Sequence, residues 1–123
     1  MKQLVLVFIG GGFGSVLRFL IGKWLNTTES GFPLATFAVN ILGSLCIGII
    51  LGYAAKNEAL TQNHTLLLAT GFCGGFTTFS TFAYENHMFL KSGDFTSFAF
   101  YTIASFTVGF LAVFAGLYLV KFI

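Results

Sequence analysis

The chain has 123 residues, 56% hydrophobic and 8% charged, with six Lys or Arg against four Asp or Glu. Soluble domains carry about 25% charged residues, so a water-facing surface on this chain would be mostly apolar and would aggregate unless lipid covered it. A soluble fold is thereby excluded, and an all-α membrane protein is expected.

The first apolar stretch runs over residues 4–25, interrupted by Arg18 and Lys23. Lys2 ahead of an apolar run is also how a secretory signal begins, but no evident small-x-small cleavage site precedes Trp24, so a retained helix is expected. Beyond it, residues 30–55, 59–84 and 95–120 carry no charge. A helix needs roughly 20 apolar residues to cross a hydrocarbon core of about 30 Å, and each window exceeds that. Further membrane helices are expected at 33–55, 65–90 and 95–122, in one domain. Polar turns join them at 26–31, Lys56-Asn57-Glu58 and Lys91-Ser92-Gly93-Asp94. A β-barrel would need alternating strands of ~10 residues, and Ile47-Gly48-Ile49-Ile50-Leu51 does not alternate. Cys46 and Cys73 both fall inside apolar windows, as small packing residues rather than a disulfide framework.

With four spans, both termini and the middle loop share one side of the membrane. That side holds Lys2, Lys56 and Lys121; the other holds Lys23 and Lys91, with Arg18 if it reaches that way. Cytoplasmic loops normally carry the excess of Lys and Arg, and here there is almost none. The balance predicts insertion in both orientations and an antiparallel homodimer, the relation that inverted repeats build within one chain. So short a chain also leaves little room for a polar path inside one bundle. The G-x-x-x-G pairings Gly10/Gly14 and Gly48/Gly52 favour close helix contact and are set down here to oligomerisation.

The third span holds the most unusual segment, Gly71-Phe72-Cys73-Gly74-Gly75-Phe76-Thr77-Thr78-Phe79-Ser80-Thr81-Phe82. Two readings stand. The paired glycines unwind the helix at mid-membrane and free carbonyls for a hard cation such as sodium; or the helix continues, with glycines for packing and hydroxyls bonded back one turn. Phe72, Phe76, Phe79 and Phe82 are spaced to share one helical face. They either pack or turn the positive edges of their rings toward a small anion. Asn40 sits amid an otherwise apolar second span, Arg18 and Glu85 near the ends of theirs, and Tyr101 and Ser105 on the fourth; intramembrane ionisable groups are costly and point to function. His64 and His87 read as interfacial. No nucleophile elbow, phosphate loop, metalloprotease motif or intramembrane carboxylate pair is present, so no enzyme is expected. The scattered basic residues form no nucleic-acid patch.

The long third-span motif, with Gly14-Ser15-Val16-Leu17-Arg18, Thr36, Asn40 and Glu85, resembles the Fluc (CrcB) family of fluoride channels over nearly the whole chain. The resemblance implies an antiparallel dual-topology homodimer in the inner cell membrane, with two fluoride pores and a structural sodium at its centre. By resemblance, main-chain carbonyls of Gly74 and Thr77 hold the sodium, Phe79 and Phe82 line the pores, and Arg18 sits in the vestibule. Asn40, Ser80, Thr36, Glu85, Ser105 and Tyr101 match the pore's polar residues. Ala83 and Gly109 depart from the family pattern, where hydroxyls are frequent. Two rivals are weighed. A small multidrug exporter would need an acidic residue deep in the first span, and residues 4–25 contain none. A non-conducting membrane subunit is separated by fluoride efflux from liposomes.

Overall fold

The computed structural model describes residues 1–25, 31–56 and 60–123. The turns read at 26–30 and at Asn57-Glu58 lie outside the described residues. Helices α1 (Lys2–Leu25) and α2 (Leu34–Lys56) are followed by α3 (62–76), α4 (Phe79–Lys91) and α5 (Phe95–Leu119), then one 3-10 turn at Val120–Phe122. No strand occurs among the described residues. Four stretches are long and apolar enough to cross a membrane: Lys2–Leu25, Leu34–Lys56, Gln62–Lys91 and Phe95–Phe122. The surface agrees, because Phe8, Phe13, Phe95, Phe110 and Phe114 are all exposed while the buried set is small. The chain is a multi-pass membrane protein.

Each helix end has a local cause. Pro33 opens α2, its carbonyl accepting from Phe37 N–H at 3.1 Å; a missing N–H costs nothing at a helix start. Thr61 and His64 cap α3 reciprocally, His64 N–H donating to Thr61 Oγ1 and Thr61 N–H to His64 Nδ1 at 3.3 Å. Gly93, at φ +80, turns the chain between α4 and α5. Asp94 then accepts from Ser97 N–H at 3.1 Å, and its hydrogen bonds to Ser97 hold the carboxyl below the ordinary carboxylate range. At the far end of α5, Lys56 Nζ donates to the carbonyls of Val120 at 2.9 Å and Ile123 at 3.1 Å, placing a cation where helix carbonyls lack partners.

Lipid tails are as apolar as leucine, so close backbone packing must draw helices together. α1 lies against α3: a Cβ built on Gly75 would meet Gly11 Cα at 2.9 Å, and one on Gly14 would meet Phe76 N at 2.8 Å. α2 lies along α5, where a Cβ on Gly48 would meet Gly116 Cα at 3.2 Å. Gly52 faces Leu117 and Val120 on the same helix pair. The two G-x-x-x-G pairings therefore serve contacts within the chain, and lend no support to an interface between copies.

Of the two readings of the third span, the structure has the broken helix, with the break just past the paired glycines. Gly74–Phe76 remains helical, and the chain extends one step later, at Thr77 (φ −86, ψ 160) and Thr78 (φ −152, ψ 122). Gly75 is held in the helix by its backbone contact with α1, whereas β-branched threonine accepts extended geometry readily. The extension also resets the helical phase. Phe72 and Phe76 stack at 5.5 Å on one side, Phe76 being buried, whereas Phe79 is 71% exposed, so the four rings do not share a face. Ahead of the break, Leu66–Cys73 is wound as a π-helix, a form that is rare beyond one turn and frequent at functional sites.

Candidate functional site

The break leaves backbone groups without helical partners at membrane depth, where each costs several kcal/mol if unsatisfied. Asn40, on α2, takes two of them. Its Nδ2 donates to Thr78 O at 3.1 Å, and its Oδ1 accepts from Thr78 N–H at 2.8 Å. The amide thus replaces a turn of backbone bonding. From α1, Arg18 Nε donates to Gly75 O at 3.1 Å and Ser15 Oγ donates to the same oxygen at 3.4 Å. Ser15 carries no role of its own in the sequence; its place one turn before Arg18 on the same helix is the signal for it. Thr77 Oγ1 bonds back to Cys73 O at 2.9 Å. Thr78 caps α4, its Oγ1 accepting from Thr81 N–H at 3.3 Å and meeting Ser80 Oγ at 3.2 Å.

These donors reach the carbonyls of Cys73, Gly75 and Thr78, and none of them reaches Gly74 or Thr77. Both residues line an open cleft of about 530 Å³ with Asn40, Phe79, Phe82 and Ser105. Neutral carbonyls at the C-terminal end of a half-helix are the donor chemistry an alkali cation takes. The Thr77 hydroxyl gives its proton to Cys73 O, while its main-chain oxygen is met by none of these donors.

A second cavity of about 360 Å³ lies on the other side of Thr78, with Arg18 and Lys23 at its wall and Thr36, Thr81 and Glu85 facing in. Glu85 accepts from Thr36 Oγ1 at 2.8 Å through one oxygen and from Tyr101 Oη at 2.7 Å through the other. Tyr101 is fully buried, packed against Phe82 at 4.9 Å. Its hydroxyl serves the carboxylate rather than standing open to a passing ion. Phe82 also meets Phe106 edge to face at 6.0 Å and Phe79 at 5.7 Å. Three buried polar atoms have no partner among the described residues: Asn86 Oδ1, Thr102 Oγ1 and Ser105 Oγ.

The family model described as CrcB-like protein, Camphor Resistance (CrcB), matches residues 5–117. The chain belongs to the CrcB family. A fluoride-specific ion channel FluC of Gloeothece citriformis is 50% identical, with 98% of each chain covered. The proteins of the same name from Azobacteroides pseudotrichonymphae and Bacteroides fragilis are 42% and 46% identical, over 99% and 97% of this chain and 98% and 96% of their own. Within the CrcB family frame, the residues named by resemblance fall into two groups here. Asn40, Gly74, Thr77, Phe79, Phe82 and Ser105 gather on the open cleft; Arg18, Thr36 and Glu85 gather on the second cavity. Ser80 is exposed beside the first group, and Tyr101 joins the second through Glu85.

Proposed function

We propose that the chain conducts fluoride passively across the inner cell membrane as half of an antiparallel homodimer with two pores. The observation that carries this reading is the open cleft itself. Polar backbone and hydroxyls stand at mid-span beside phenylalanine rings, with Gly74, Phe79 and Ser80 exposed on one flank. Lipid does not tolerate such a flank, and a second copy would cover it. The even Lys and Arg balance supports inverted pairing, and the relatives' name supports the ion.

Fluoride is small and holds water tightly, so a pore must replace part of its hydration with donors while binding weakly enough to release it. The edges of Phe79 and Phe82 carry partial positive charge without the grip of an ammonium. Gly74 and Thr77 of both copies would hold a structural sodium through main-chain carbonyls, which supplies a fixed positive charge and a partner for those oxygens. Arg18 and Lys23 give the second cavity two cations against one carboxylate, which draws anions to it. Conduction of this kind is transport, not catalysis.

The test is efflux from liposomes holding the purified chain alone. Fluoride should leave without nucleotide or pH gradient, chloride should stay, and Phe79→Ile should cut fluoride efflux sharply in a folded dimer. Uphill fluoride movement on a proton gradient would sink the channel reading, and an inert chain would make this a subunit of something else. Orientation has its own test. Two or three lysines added to one side should fix a single orientation and abolish efflux, and co-expression with an oppositely biased copy should restore it. A biased chain that conducts alone would end the antiparallel model.

A further inference from the structure

Almost every polar side chain around the break already has a partner. Thr36 and Tyr101 donate to Glu85, Asn40 to Thr78, Arg18 and Ser15 to Gly75, and Thr77 to Cys73, while Thr78 meets Ser80 and Thr81. An anion crossing a low-dielectric core needs N–H or O–H donors that no protein acceptor holds. Buried polar groups are otherwise hydrogen-bonded, so the exceptions ask for an explanation. Among the described residues they are the hydroxyls of Thr102 and Ser105 and the amide oxygen of Asn86, which as placed is an acceptor.

The three are not scattered. Thr102 and Ser105 are three residues apart on α5 and share a face. Asn86 lies one turn past Phe82 on α4, and is only 7% exposed. The Phe82 ring contacts Tyr101 and Phe106, the immediate neighbours of Thr102 and Ser105, at 4.9 and 6.0 Å. The turn at Gly93 folds α4 back on α5, so all three lie between Phe82 and that turn or level with Phe82. A half-turn of the Asn86 amide presents its NH2 group where Oδ1 now stands.

We infer that Asn86 and Thr102, together with Ser105, form an anion subsite between α4 and α5 that gives fluoride its donors on the loop side of Phe82. The inference rests on the channel reading and adds Asn86 and Thr102 to the path.

Thr102→Val and Asn86→Leu remove the polar atoms and keep the volume. If the groups only pack, or only hold resident water, their removal should leave efflux at the parental rate. A subsite predicts that each variant lowers fluoride efflux about tenfold, the loss of one hydrogen bond to a charged group. Melting temperature should stay level or rise, since an unpartnered buried hydroxyl has been taken away. Thr102→Ser should recover most of what Thr102→Val loses, which a shape effect would not produce. Thr102→Ala and Asn86→Met, read the same way, cover the case in which a first variant does not fold. Parental efflux in the folded variants overturns the subsite and leaves the channel reading standing. A parent chain that releases no fluoride overturns both.

Discussion

Gly75→Ala is expected to leave little folded protein. The added Cβ would meet the Gly11 backbone on α1, with Gly11 Cα at 2.9 Å and Gly11 C at 3.0 Å. No side chain can rotate away, so the two helices must separate. Overpacking costs about 1–3 kcal/mol where neighbours yield, and backbone against backbone belongs at the upper end. Separation would also pull the Gly75 carbonyl from Arg18 and Ser15, uncovering a polar group in lipid. A glycine one position after Gly11 on the same helix is the control for stability. A Cβ on Gly12 would meet nothing within 4 Å, so Gly12→Ala should melt near the parent temperature. Detergent-solubilised yield, monodispersity and melting temperature read both. Equal melting of Gly75→Ala and the parent would show that α1 and α3 do not approach as closely as described.

Asn40→Leu is expected to remove fluoride efflux and lower the melting temperature by many degrees. The leucine fills a similar volume but takes away both bonds to Thr78, at 3.1 and 2.8 Å. One half-buried N–H and one C=O then lose these partners, at up to about 1–3 kcal/mol each where water does not reach them. The chain can recover them only by closing the break or letting water in, and either moves Thr77 and Phe79. This result distinguishes a brace from a lining residue. A lining residue alone would cost conduction at unchanged stability, so an Asn40→Leu protein that melts like its parent would show that the amide is not what holds the break open.

Much of the architecture was legible because hydrocarbon imposes it. Charge-free windows of spanning length admit little but helices, and the turns at Gly93 and Asp94 follow from residue types. The break falls just past the paired glycines rather than on them, for a specific reason. Glycine lowers helix propensity in isolation, but Gly75 gains a backbone contact with α1 that no local rule contains. The extension went instead to two threonines, one of which finds Asn40 across the bundle. Once the chain extended there, the phenylalanine spacing lost its meaning, since a helical period does not survive a non-helical pair. The π-winding of Leu66–Cys73 has no compositional mark. Thr36, Glu85 and Tyr101 were named together only through resemblance; their shared carboxylate becomes visible once α2, α4 and α5 are in place. Asn86 and Thr102 carry no mark in the sequence, because a lone polar residue looks like any other until the surrounding helices are in place.

The order in which the helices pair bears on how the molecule is made. α1 finds its close contact on α3, and α2 finds its own on α5. Neither couple is adjacent along the chain, so neither close glycine contact can form between a helix and the one made directly after it. The first span must wait in the bilayer for the third, and the second for the last, before glycine can meet glycine. Assembly is therefore interlocked: the final helix, gripped at its end by Lys56, closes a bundle in which α2 alone is still unmatched when it arrives.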